Sequence, residues 1–416
     1  MGGINKNAVL KEITTFYLNS RDFNGIPATD LAAKFGGNRR ALQEVLCNLI
    51  EEDLVGLICG DVEINPHIIR LGFEPKEAQI QKLASDKFYA SCIYPRPKYL
   101  EVVVDRSRYD GEPYKICLAL GEPQLAYRSF DLVVLEFYRN DPRYFYESND
   151  ISGFISIEDK YYRSGRMEER DKVLLQSFGF SYDQDFNRAV AVYLRYLANL
   201  SPEHQQIWKA KELVGDYRLH PDYFRTTVIG DWGERVSIFN AFIQELWIIN
   251  QMARAMGRPP LFRQDFGKYG ENKPKKFGFL IRPTLEEFNS FVLLLDKMLS
   301  DNISKEFFRD EVPYEIEIER EDGKIQVQNR GTLQILDQWV RKYFRTEHWE
   351  PWDESIEILR KIRKMRQQPA HAIDENVFDQ RYFKDQRELI IKAYRAVRTL
   401  RMMLENHPAV RSADIE

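Results

Sequence analysis

No stretch of this chain approaches the roughly 18 consecutive apolar residues that a membrane span needs. Even its dense aliphatic run Phe291-Val292-Leu293-Leu294-Leu295 is only a fragment of that length. The expectation is that the chain does not cross a bilayer. With 416 residues, the chain exceeds the roughly 100–200 residues of an ordinary domain, which predicts two or three domains. Hydrophobic residues at 44%, including 26 Phe and 22 Tyr, supply the cores and exclude a disordered composition.

The start, Met1-Gly2-Gly3-Ile4-Asn5-Lys6, leads into amphipathic sequence with no apolar region and small-residue cleavage site, so the expectation is a cytoplasmic protein with no membrane partner. Cys47, Cys59, Cys92 and Cys117 form no CxxC pair and no disulfide framework, which suits a reducing compartment. The six histidines show no HxxxH and no neighbouring Cys at ligand spacing, so no metal site is expected. Gly267-Lys268-Tyr269-Gly270 lacks the Gly-Lys-Ser/Thr of a phosphate loop, and no cofactor is implied. Sixty basic against 64 acidic residues give a net charge of -4, against a surface that grips nucleic acid everywhere.

Apolar residues Val9, Leu10, Ile13, Phe16 and Tyr17 predict a helix over 7–19. A short helix follows between Pro27 and the glycines Gly36-Gly37, and a third starts at the cap Asn38 and carries Leu42, Val45, Leu46 and Leu49. Leu54 to Cys59 and Val62 to Ile64, hinged at Gly60-Asp61, predict a hairpin. This order resembles a winged helix-turn-helix domain over about residues 5–70. The resemblance implies that the helix after the turn offers Arg39, Arg40 and Gln43, with Asn48, to a DNA groove. Residues 1–70, however, hold seven basic and nine acidic side chains, whereas a phosphate-gripping module is basic. A DNA-binding and a protein-docking role both remain open for this module.

Tyr94-Pro95-Arg96-Pro97 reads as a stiff joint after a helix in 74–97. Beyond it, Leu100–Val104, Tyr114–Leu120, Leu132–Leu135 and Phe154–Ile157 suggest a small sheet over 98–160. The aromatic and arginine cluster Tyr138 to Tyr146 suits either nucleotide stacking or a packed aromatic ladder. From about 186 the sequence reads as mainly helical: Ser201-Pro202-Glu203 opens one helix, Val236–Met256 forms a long one, and Thr284 caps another to about Leu299. Tyr314–Glu319 and Lys324–Gln328 alternate around Asp322-Gly323, a hairpin. Helices over about 332–345, 353–367 and 377–405 close the chain. The expected architecture is multidomain and mainly α: a winged helix (1–72), a linker helix with a small α+β domain (73–185), and a helical bundle with an inserted β-hairpin (186–416).

Residues 360–401 hold twelve basic and five acidic side chains, a local net of +7 that suits a polyanion or a solvated helix face. Arg360, Arg363 and Lys364 are its candidate nucleic-acid contacts. Advancing about 100° per residue from Ile356 places Arg366 on the apolar face with Leu359 and Ile362, while Arg360, Lys361 and Lys364 point away. An inward arginine calls for a partner. Pro369 then bends the chain before His371.

Arg366-Gln367-Gln368-Pro369-Ala370-His371, set between two helices, resembles the HEPN superfamily, whose ribonuclease members carry Arg, four to six residues, then His. Gln367 departs from the Asn, Asp or His more usual after the Arg. The resemblance implies a metal-independent endoribonuclease, of the kind found among toxins and antiviral defence effectors. RNA would be the substrate and a homodimer would bring two motifs together. Arg366 would neutralise the phosphorane, Gln367 would flank it, and His371 would exchange a proton with the 2′-hydroxyl or the leaving oxygen. The competing expectations are a winged-helix transcriptional regulator that binds DNA and a non-catalytic interaction scaffold.

Overall fold

A computed structural model of the protein describes residues 4–60, 72–231, 236–319, 325–367, 375–413 and 415. It is a mixed structure in which helix predominates and the sheets are antiparallel. The chain divides into two compact units, Met1–Tyr146 with Ser152–Gly233, and Glu147–Ile151 with Glu234–Glu416.

In the first unit, helices Lys6–Asn19, Ala28–Lys34 and Arg39–Glu51 form where the apolar stripes place them. Asn5 and Asn38 cap the first and third, each side-chain oxygen accepting from a backbone N–H at 3.1 Å. Val55–Cys59 pairs with Ser91–Pro95, which also pairs with Ile26–Pro27, giving a three-stranded sheet with Ser91–Pro95 in the middle. The segment read as a joint is thus a central strand. Cys92, Ile93 and Tyr94 are all buried, so a fully covered strand showed no alternation to mark it. The expected partner strand Val62–Ile64 lies outside the described residues, and helix Lys76–Ala84 intervenes before Ser91.

Much of the sheet expected over 98–160 is helix. Pro97 opens Pro97–Val103, which buries Leu100 and leaves Val102 and Val103 exposed, while Val104, just past its end, is buried again. Lys115–Ala119 and Val134–Arg139 bury Leu118 and Ala119, and Val134, Leu135 and Tyr138, at helical spacing. The sheet that does form runs Tyr127–Phe130, Arg188–Tyr193, Leu174–Tyr182, Ser152–Ile157, Tyr144–Ser148, with Arg218–Leu219 paired to Leu174–Tyr182. Arg188–Tyr193 sits inside that order, so the chain just after 186 is strand, not helix.

The tyrosines of the Tyr138 to Tyr146 cluster, Tyr138, Tyr144 and Tyr146, are packed into the core. Trp208 Nε1–H donates to the Tyr138 hydroxyl at 2.9 Å, and that hydroxyl lies 2.9 Å from His204 Nδ1. With its oxygen already accepting from Trp208, the hydroxyl donates its proton to His204, which assigns the neutral Nε2–H tautomer. Arg143 is held by Asp141 and Asp171. Burial lowers the His204 pKa below 6.5. The unfolded state therefore takes up the proton first as pH falls through about 6.5, and stability present above that pH is lost below it. Melting temperatures measured from pH 8 to pH 5 are expected to fall over that acid limb, and His204→Gln is expected to flatten it.

The second unit is a bundle built on Ile238–Ala255, Leu285–Met298, Glu350–Gln367 and Arg381–Leu404, with Thr332–Tyr343 packed beside it. Arg381–Leu404 lies against both Ile238–Ala255 and Glu350–Gln367, and the latter lies against Leu285–Met298. One continuous core joins them through residues such as Phe242, Leu246, Leu295, Trp339, Ile356 and Val397. Ser237 and Thr284 cap their helices. The inserted hairpin pairs Glu315–Glu319 with Ile325–Asn329, and its strands are exposed throughout; the Asp322-Gly323 turn lies outside the described residues. No helix among the described residues is long and apolar enough to cross a membrane.

Candidate active site

Glu350–Gln367 starts with Glu350 and Asp353 in its first turn and ends with Lys364 and Arg366 in its last, charges that complement the helix dipole. Its buried stripe runs Trp352, Ser355, Ile356, Leu359, Ile362. Arg366 stands four residues beyond Ile362 and continues that stripe, as its sequence phase implies. The neighbouring helix Leu285–Met298 buries Phe288, Phe291, Val292 and Leu295, then places Asp296 four residues after Val292, on the same inward face.

The two inward charges meet. Arg366 Nη1 donates to Asp296 Oδ2 at 2.7 Å and to the Asp301 carboxylate. The Asp296 side chain is 1% exposed and that of Arg366 30%. Ser300 Oγ donates to the other Asp296 oxygen, and Arg363 Nη1 lies 3.8 Å from Asp301. The bonds to Asp296, then to Asp301, raise the guanidinium pKa above its ordinary value, so Arg366 is a permanent cation. Among the described residues its Nε and Nη2 have no protein partner. The site is thus an arginine anchored at one nitrogen, with part of its planar fork open.

Gln367 is exposed at the helix end, and His371 lies outside the described residues. Sequence reading singled out Arg366 but missed Asp296, Ser300 and Asp301. The signal was available, since an acid in the Phe288, Val292, Leu295 stripe needs an explanation as much as an inward arginine does.

Of the twelve cations in 360–401, Arg360, Arg363, Arg366, Arg381, Lys384, Lys392 and Arg401 each have a carboxylate within 4 Å. Lys361, Lys364, Arg387, Arg395 and Arg398 have none among the described residues. Lys364, exposed one turn from Arg366's end of the helix, is therefore the freer of the proposed phosphate contacts, whereas Arg360 is tied to Asp337 at 3.1 Å.

At the other candidate site, two of the four polar residues that Arg39–Glu51 would offer to a groove are occupied, while Arg40 and Asn48 are exposed. Arg39 Nη2 donates to the Ser85 carbonyl at 2.6 Å, and its guanidinium lies over Phe88 and Tyr89 at 5.0 and 4.9 Å. Gln43 Nε2 donates to the Leu83 carbonyl. Arg40 is open, 91% exposed, with Glu44 3.8 Å away. Gln43 is thus spent on the last turn of helix Lys76–Ala84 and Arg39 on the segment that follows it. Arg39→Ala is expected to cost about 1 kcal/mol in urea unfolding, through the lost bond and ring contact, and Arg40→Ala less than about 0.5 kcal/mol.

No group of His, Cys, Asp and Glu among the described residues has metal-holding geometry. Compared with family models, with curated proteins and with solved structures, the chain matches none.

Proposed function

We propose that the protein is a metal-independent endoribonuclease of HEPN type, with the bundle of the second unit as its cutting module. The observation that carries this reading is the anchored, partly open Arg366 fork. A buried carboxylate that fixes one guanidinium nitrogen pre-orients the others, and an oriented fork that needs no reorganisation is what a developing phosphorane requires. Lys364 and the unpaired cations Arg387, Arg395 and Arg398 would attract the RNA strand. His371 supplies the proton exchange and the 2′-hydroxyl of RNA the nucleophile. Gln367, exposed beside the arginine, is placed to contact the substrate. The active unit is a cytoplasmic homodimer whose two motifs flank one scissile phosphate, and a toxin or antiviral defence role fits such an activity. The elements of residues 5–60 and 91–95 are a winged-helix-like docking module for a protein partner, because Arg39 and Gln43 are occupied.

The test is incubation of the full chain with single-stranded RNA in excess chelator. Cleavage that leaves 2′,3′-cyclic phosphate ends is expected, and RNA that stays intact at every protein concentration contradicts the reading.

One observation favours a second reading, a non-catalytic scaffold of the same type. Asp296 and Asp301 balance Arg366 and Arg363, which lies 3.8 Å from Asp301, so the cluster is neutral by itself, as a purely structural ion-pair network would be.

A further inference from the structure

The first unit contains a cleft of about 780 Å³, within the size range of small-molecule sites. It is walled by the chain after the first helix, by the turn Arg106–Tyr109, by helix Asp159–Ser164 and by residues 195–202. Five cations and three carboxylates line it. Two of the carboxylates are consumed locally, Glu112 by Lys115 at 2.8 Å and Glu169 by Lys172. Arg21, Arg108 and Arg195 are left with no ion pair among the described residues. Five cations against three carboxylates leave the lining with a positive excess, and the three arginines without a carboxylate within 4 Å offer their forks to the oxygens of a polyphosphate.

Two further features narrow the ligand. Tyr162, on the wall, is 63% exposed, a large ring left in water with Lys172 Nζ 5.8 Å from its centroid. Such a ring is a stacking platform for a base. Asp22, the remaining carboxylate of the lining, has no cation partner, and an unpaired carboxylate among arginines suits the hydroxyls of a ribose. At the back, Phe23 is buried with φ 53°, a left-handed conformation that a bulky side chain adopts at a cost. Its ring is wedged against Tyr17 and Tyr109, at 5.6 and 6.4 Å, so the strained turn that carries Arg21 and Asp22 is held in place.

We propose that this cleft binds a ribonucleoside polyphosphate, with the phosphates on Arg21, Arg108 and Arg195, the ribose at Asp22 and the base on Tyr162. The site belongs to the first unit and does not depend on the ribonuclease reading of the second.

The experiment is calorimetric titration of the full chain with ATP, GTP, CTP and UTP, and with sodium tripolyphosphate as the base-free control. At least one nucleotide is expected to bind saturably and more tightly than tripolyphosphate. Arg108→Ala, at an exposed position, is expected to weaken it about tenfold or more, the loss of one charge-assisted bond, and Arg108→Ala with Arg195→Ala further still. Tyr162→Ala is expected to weaken the nucleotide and leave tripolyphosphate unchanged. Each variant is checked against the wild-type melting temperature, and the exposed Arg108→Ala and Tyr162→Ala keep the test valid where Arg195→Ala disturbs the fold. The proposal is overturned by the absence of saturable binding at millimolar nucleotide, by equal affinity for tripolyphosphate, or by binding that Arg108→Ala leaves intact. A short RNA that displaces the nucleotide and itself depends on the same arginines more strongly would also overturn it, in favour of a strand-binding groove.

Discussion

Arg366→Met is expected to lower stability by about 2–4 kcal/mol and the melting temperature by roughly 5–15 °C. The cost comes from what stays behind. The Asp296 carboxylate is almost wholly buried, and removing its cation leaves a buried negative charge with the Ser300 hydroxyl as its remaining side-chain partner among the described residues. The estimate lies at or below the usual range for breaking a buried pair because Arg366 and Asp301 are partly reached by water. A double-mutant cycle isolates the effect. Asp296→Asn in the Arg366→Met background is expected to restore a large part of the loss, since the amide carries no charge, while Asp301→Asn in the same background restores little. Equal melting temperatures for Arg366→Met and wild type in thermal unfolding followed by circular dichroism would contradict the geometry of this site.

The same cycle bears on function. Arg366→Lys keeps a cation beside Asp296 but replaces the planar fork by a point charge. If Arg366 only neutralises Asp296, lysine preserves both stability and any RNA cleavage. If the open fork meets the phosphorane, lysine preserves much of the stability and loses the activity.

How much of this was legible in the sequence depended on whether each element's neighbours were local. The hairpin Glu315–Glu319 with Ile325–Asn329 was readable because alternation and the intervening Asp-Gly both lie within a few residues. The helices of the second unit were readable because their stripes are long, and the caps Ser201 and Thr284 were marked by residue type. Ser91–Pro95 was not readable. Its partners lie at Val55–Cys59 and Ile26–Pro27, far along the chain, and burial on both faces erased the period-two signal. Leu100–Val104 misled for the opposite reason, because local β-branched character was outweighed by Pro97 and by burial at helical spacing, Leu100 and Val104 four residues apart. At the candidate site, the inward phase of Arg366 was visible from the stripe of its own helix. Its partner lies on another helix, Leu285–Met298, where Asp296 breaks an apolar stripe in the same way. The coverage of Arg39 and Gln43 by Leu83, Ser85, Phe88 and Tyr89 could not be read from the third helix alone, since it is a tertiary contact across about 40 residues.

The proposed chemistry depends on His371, which lies outside the described residues, and on Arg366, which lies within them. A histidine side chain can take up and give back a proton in the neutral range, the exchange that the proposed cleavage requires. His371→Ala removes that proton exchange and leaves Arg366 and Asp296 in the chain, and its melting temperature is measured beside that of wild type. The decisive measurement is the rate of RNA cleavage in excess chelator by wild-type and His371→Ala protein, compared at equal concentration and equal thermal stability. A fall of about 10²–10⁴-fold in the variant is the predicted result, and RNA cut equally fast by both proteins would contradict the account.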